Sequence, residues 1–101
     1  MGLSPFSKAT YQKNSDIYKV LANPKRLEIL NILKGHELSV EVLAKEVKIR
    51  MANLSQHLSV LRFMKLVKIR RDGQRIYYSL TDPKIVAPCE ILHDLAKKRV
   101  I

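Results

Sequence analysis

The sequence predicts a mainly α fold with one small β-hairpin, and three observations carry that prediction. Three helix-forming segments follow one another between residues 23 and 63, each with an apolar stripe and its own start or stop signal. Two β-prone runs, 67–71 and 75–80, flank Asp72-Gly73, a hairpin-turn dipeptide. The 101 residues are 47% apolar, enough for one core in a single domain of this length.

Residues 1–10 carry Gly2, Ser4, Pro5 and Ser7 without periodicity and are expected to form a flexible arm. Tyr11, Ile17, Tyr18 and Leu21 then recur at loosely helical spacing and predict a first helix. Asn23-Pro24 supplies an N-cap and a proline at the first helical position. The helix it opens has Leu27, Ile29, Leu30 and Leu33 on its apolar face and stops at Gly35. Ser39 caps the next helix, with Glu41 in its first turn and Val40, Leu43, Ala44 and Val47 expected inward. After a short break, Met51, Leu54, Leu58 and Leu61 recur at three and four residues and are expected to be buried on one face. Arg50 is a poor cap for that helix. Phe63 and Met64, at its end, are expected to pack beneath the hairpin. Asp82-Pro83 opens a last helical segment, and Pro88 forces either a kink or a short turn before a helix that starts at Pro88 itself.

The charge is strongly uneven. Lys and Arg number 19 against 9 Asp and Glu, a net +10 that points to a polyanion. Residues 48–75 hold Lys48, Arg50, Arg62, Lys65, Lys68, Arg70, Arg71 and Arg75 against the single acid Asp72, so +7 of the +10 lies there. No apolar run approaches the roughly 20 residues of a membrane span, and the N-terminus has neither an apolar signal core nor a myristoylation pattern, Phe6 standing where Ser or Thr is needed. A lone cysteine forms no internal disulfide, which suits the reducing cytoplasm expected for this chain. His36, His57 and His93 have no nucleophile or paired carboxylate at an enzymatic spacing, and no glycine-rich phosphate loop occurs, so no enzyme is expected.

Two short helices joined by a tight turn, the second polar outside, form a helix-turn-helix arrangement. On a helical wheel Ala52, Asn53, Gln56 and Ser59 face outward, with Ser55 and His57 on the flanks and Arg62 near the end. Asn and Gln pair bidentately with adenine in the major groove, and small Ala and Ser allow close approach. Arg70, Arg71, Gln74 and Arg75 surround the hairpin tip, where they can reach the DNA backbone or minor groove. His57 could donate to a base or phosphate, although a half-buried, hydrogen-bonded structural role is the preferred reading.

These motifs resemble the ArsR/SmtB family of winged helix-turn-helix transcriptional repressors. Residues 21–30, LANPKRLEIL, are similar to the family's LADPTRLRIL opening, and residues 54–62, LSQHLSVLR, to its VSxHLxxLR recognition helix. Leu66-Val67 and residues 70–80, RRDGQRIYYSL, are similar to its GLV…RREGRxVYYxL wing, so the likeness spans about residues 15–85 in family order. The resemblance implies a winged helix-turn-helix homodimer, built on the first and last helices, that binds an inverted-repeat operator in double-stranded DNA and represses transcription. Residues 11–101 would form that DNA-binding and dimerisation domain, with helix 50–63 in the major groove and hairpin 67–80 as the wing.

Three positions depart from the family pattern. Met51-Ala52 stands where Gln-Pro is common, so that base-reading Gln is missing. Lys65 replaces a Gly before Leu66-Val67, which asks lysine for a conformation it disfavours. The two-cysteine metal segment ELCVCDL reads Glu37-Leu38-Ser39-Val40-Glu41-Val42-Leu43, without thiolates. Cys89 and His93 remain as weak candidates: four residues apart, they would occur twice in a two-fold dimer and supply four ligands for zinc or another thiophilic metal. A first-turn thiolate sensing redox state is a second reading of Cys89, and a buried cysteine packing the dimer is the third and preferred one. Two alternatives to a specific regulator remain open from sequence. A protein-interaction module is disfavoured by the basic stripe, and an architectural DNA binder would bind every sequence equally.

Overall fold

The computed structural model describes residues 2–101. Helix α1 runs Lys8–Leu21, begun by Ser7, whose hydroxyl accepts from the Thr10 amide at 3.1 Å. Lys8, Ala9 and Thr10, expected in the arm, are therefore helical, because a serine cap outweighs the absence of apolar periodicity. Helix α2 is Pro24–Leu33, and the Asn23 side chain accepts from the Lys25 and Arg26 amides at 3.0 and 3.1 Å. Gly35, at φ +73°, ends that segment.

A strand absent from the sequence expectation, β1, covers Leu38–Ser39. Helix α3, Val40–Val47, follows directly, with Ser39 as its cap accepting from the Val42 amide. Lys25 Nζ donates to the Val47 carbonyl at 3.3 Å and closes the end of α3 onto α2. The turn Lys48-Ile49-Arg50 leads into α4, Met51–Phe63, on which the Arg50 side chain makes no capping bond. Strands β2, Val67–Asp72, and β3, Arg75–Leu80, form the expected hairpin, and the sheet order is β1-β3-β2, all antiparallel. The turn sits one residue later than expected. Asp72 still pairs with Arg75, and Gly73-Gln74 makes the connection with Gly73 at φ +62°, the left-handed geometry a glycine supplies at the first central position of a tight hairpin. A 3-10 turn, Pro83–Val86, then precedes α5, Ala87–Lys97. Pro88 is inside the first turn of α5, where its missing N–H costs no hydrogen bond, so the helix does not kink.

The core joins one face of each middle helix. Ile29, Leu30 and Leu33 of α2 meet Leu43, Ala44 and Val47 of α3 and Leu54, Leu58 and Leu61 of α4, closed below by Leu66, Val67, Leu80 and Val86. Met51 does not join them; it shares their side of the wheel but is the first residue of α4, at the edge of the cluster, and is 47% exposed. Phe63 is also corrected: it is 84% exposed, half a turn round α4 from Leu54, whereas its neighbour Met64 packs against the core as expected. Helices α1 and α5 bury no residue at all.

A polar link lies outside the apolar core. Arg26 Nε donates to His57 Nδ1 at 3.2 Å and another guanidinium nitrogen donates to the Val20 carbonyl at 3.4 Å, so one side chain ties α1, α2 and α4. With Nδ1 accepting, the neutral ring carries its proton on Nε2. Burial and then the Arg26 charge push the His57 pKa below its ordinary value.

Two outcomes follow from this framework. Lys65 is held at φ +59°, so Lys65→Gly should raise stability by about 0.5–1 kcal/mol, seen as a higher urea midpoint at unchanged slope. A midpoint that stays or falls contradicts strain at this turn. For His57, the unfolded imidazole protonates at about 6.5 and the folded one only at lower pH. The stability due to its neutral form is complete above that value and is lost as the pH falls towards the folded pKa. The melting temperature of the parent should therefore drop more between pH 7.5 and 5.5 than that of His57→Gln, whose amide oxygen accepts from Arg26 without titrating. Equal drops contradict the depressed pKa.

Candidate nucleic-acid interface

Helix α4 has two opposed faces because its leucines recur every three or four residues. Leu54, Leu58 and Leu61 fix it to the body, and the side directly opposite is left to solvent. Ala52, Asn53, Ser55, Gln56, Ser59 and Arg62 are all exposed there or on the flanks. Ala52, Gln56 and Ser59 share the outermost line, at spacings of four and three residues. His57 is half-buried as expected, and its Nδ1 is committed to Arg26, which leaves Nε2–H as its free donor. The Arg26 link thus orients one flank of α4.

Strand alternation sorts the wing residues. The pairs Lys68↔Ser79, Arg70↔Tyr77 and Asp72↔Arg75 lie on one side of the hairpin, whereas Val67↔Leu80, Ile69↔Tyr78 and Arg71↔Ile76 lie on the side that continues into the core. Arg71 and Arg75 therefore project from opposite faces of the tip, both exposed, with Gln74 exposed in the turn between them. Arg70 behaves differently. Its Nε and Nη2 both donate to Glu37 Oε1, at 2.9 and 2.7 Å, and its guanidinium stacks 4.7 Å from the Tyr77 ring centre. The hydrogen bond from Arg70 lowers the Glu37 pKa, and the same bond raises that of Arg70. Arg70 thus braces the wing against the segment before β1 as well as adding positive charge. Sequence reading missed Glu37 and Tyr77 as its partners. The facing of Tyr77 across the hairpin was accessible from period-two pairing, whereas Glu37 depends on β1, which has too few residues to announce itself.

The connectors add further charge. Lys48 and Lys65 occupy left-handed positions, φ 61° and 59°, at the entrance and exit of α4, and both are exposed. With Arg50, Arg62 and Lys68 they surround the outer line of α4 with cations. Such a surface, with an amide-bearing helix among its cations, is complementary in charge to a DNA groove.

Elsewhere, Cys89 is half-buried in an apolar cleft of about 260 Å³ lined also by Tyr18, Leu21, Leu27, Ile85 and Leu92. His93, one turn further along α5, is exposed. Among the described residues no three His, Cys, Asp or Glu side chains gather as metal ligands, and no helix is long and apolar enough to cross a membrane.

Comparison with known proteins agrees with this geometry. Residues 23–68, from the α2 cap to the start of the wing, match the model of the arsR family of bacterial regulatory proteins. The transcriptional activator HlyU of Vibrio cholerae is 36% identical over 96 residues, covering 91% of this chain and 89% of HlyU. The crystal structure of NolR from Sinorhizobium fredii superposes with a TM-score of 0.80 at 38% identity, covering 94% of this chain and 95% of NolR. A solution structure from Mycobacterium bovis, described as the homodimeric winged helix-turn-helix DNA-binding domain of a possible ArsR-family regulator, gives a TM-score of 0.78 at 30% identity, covering 94% of this chain and 91% of that domain. The chain is a member of the arsR family of bacterial regulatory proteins, a winged helix-turn-helix transcription regulator and not an enzyme.

Proposed function

We propose that this regulator binds an inverted-repeat operator as a homodimer, each protomer laying α4 in the major groove and its β2–β3 hairpin along the flanking backbone. The opposed faces of α4 carry the reading: three buried leucines hold it rigid while Gln56 stands exposed among cations. Gln56 and Asn53 contact base edges, with Ala52, Ser55 and Ser59 allowing close approach. His57 donates through Nε2–H, and Arg62, Arg71, Gln74 and Arg75 meet the backbone. A bound dimer occludes a promoter and so represses, working on DNA in the cytoplasm.

Two helices with exposed apolar side chains support the dimer. Tyr18 of α1 and Ile91 and Leu92 of α5 are 61%, 57% and 56% exposed, and both helices border the apolar cleft. A second copy covering them buries this surface and pairs two α4 helices for two half-sites. Cys89, already half-buried in that cleft, serves there as a packing residue.

Affinity for duplex DNA should fall steeply with salt, at a log–log slope of about −0.9 per phosphate contacted. Arg71→Ala and Arg75→Ala should each flatten the slope by about one, and Arg70→Ala less, because Arg70 is shared with Glu37. A slope near zero in the parent contradicts the proposal. Sedimentation should give a dimer at micromolar concentration and a monomer for Leu92→Glu, and a monomeric parent overturns the assembly.

A further inference from the structure

Phe63 has no role in the account so far, and its position gives it one. It lies nine residues after Leu54, half a turn round α4 at about 100° per residue, and is 84% exposed. It continues the line Ala52, Gln56 and Ser59 at the next helical spacing of four. At about 1.5 Å per residue, Ala52 and Phe63 lie roughly 16 Å apart along the axis, the length of about five base-pair steps. Phe63 is thus an apolar ring on the outermost line of the recognition helix, flanked in sequence by Arg62 and Lys65. An isolated exposed phenylalanine is unremarkable on a protein surface, but one that ends a polar stripe beside Arg62 and Lys65 selects its partner. Cations draw in the phosphates, and the apolar feature those phosphates border in the major groove is the C5-methyl of thymine.

We propose that Phe63 is a specificity-determining residue that recognises a thymine methyl group at the end of each half-site away from Ala52. The proposal rests on the DNA-binding reading above and adds a base preference to it. Arg62 and Lys65 fix the backbone on either side, and the ring fills the methyl-lined edge of the groove, excluding water from both surfaces. A purine or cytosine at this position has no methyl group and so gives the ring no apolar contact.

Uracil tests the contact directly, since it removes the methyl group and keeps the base pair. On a duplex selected by the parent protein from a random pool, thymines are replaced singly by deoxyuridine and binding is followed by fluorescence anisotropy. One thymine per half-site should show a loss of about three- to tenfold with the parent. The same replacement should cost Phe63→Ala nothing further, while Phe63→Leu keeps part of the effect. The exposure of Phe63 leaves the folding of both variants intact. The proposal is overturned if no thymine responds, if Phe63→Ala retains the full deoxyuridine penalty, or if Phe63→Ala weakens selected and random duplexes alike. It is also overturned if that variant changes only the sedimentation of the free protein, which makes the ring a self-association contact. A parent that binds no duplex ends the DNA reading as well. A selective parent whose deoxyuridine penalty is untouched by Phe63→Ala ends this proposal alone.

Discussion

The structure depends on the burial of a single line of three leucines. Leu54, Leu58 and Leu61 are almost fully removed from water against α2 and α3, and each such burial stabilises by about 1.5–3 kcal/mol. Because a helix presents only one face to a core, fixing this line also fixes which residues look outward. The outer face is therefore free to vary in chemistry without disturbing the fold, and amide, hydroxyl and aromatic side chains occupy it at no cost to the leucines. In the proposed complex a helix held so tightly meets DNA as a rigid reader, which reduces the ordering cost of binding.

Polar links refine what the leucines position. Arg26 joins the last turn of α1 to His57 on α4, so the proposed partner-subunit face and the proposed DNA face share one side chain. Arg70 does the same for the wing, bridging Glu37 and Tyr77. Each link couples an element that the core does not bury to one that it does. The connectors make a different exchange. Lys48 and Lys65 accept a left-handed backbone that glycine would adopt freely, and in return both turns beside α4 carry positive charge. Stability is given up where charge is needed, the usual pattern at a functional surface.

Much of this was legible in the sequence, because its signals were local. Asn23, Ser39, Gly35 and the leucine spacing located α2, α3 and α4 through chemistry acting within one turn of chain. The left-handed strain at Lys65 followed from the family pattern, in which a glycine stands at that place. What escaped was set by distant partners. The two-residue β1 exists only because β3 pairs with it, and Arg70 is braced only because Glu37 arrives from the same region. Ser7 was overlooked as a cap for want of an apolar stripe behind it, since the residues of α1 that pack against the core, Ile17, Val20 and Leu21, all lie at its far end. Phe63 was misread because a phenylalanine near a helix end is usually buried, whereas its angle from Leu54 turns it to the outside.

A buried leucine line, an outward stripe and two helices with exposed apolar side chains are the basis of the proposed regulator, whose reading head would be doubled by symmetry. Sequencing the duplexes enriched from a random pool tests that description most directly. The account predicts an inverted repeat whose half-site centres lie about one helical turn, or a multiple of it, apart. Tight binding with an enriched pool no different from the starting one, or a single half-site without its repeat, would contradict it.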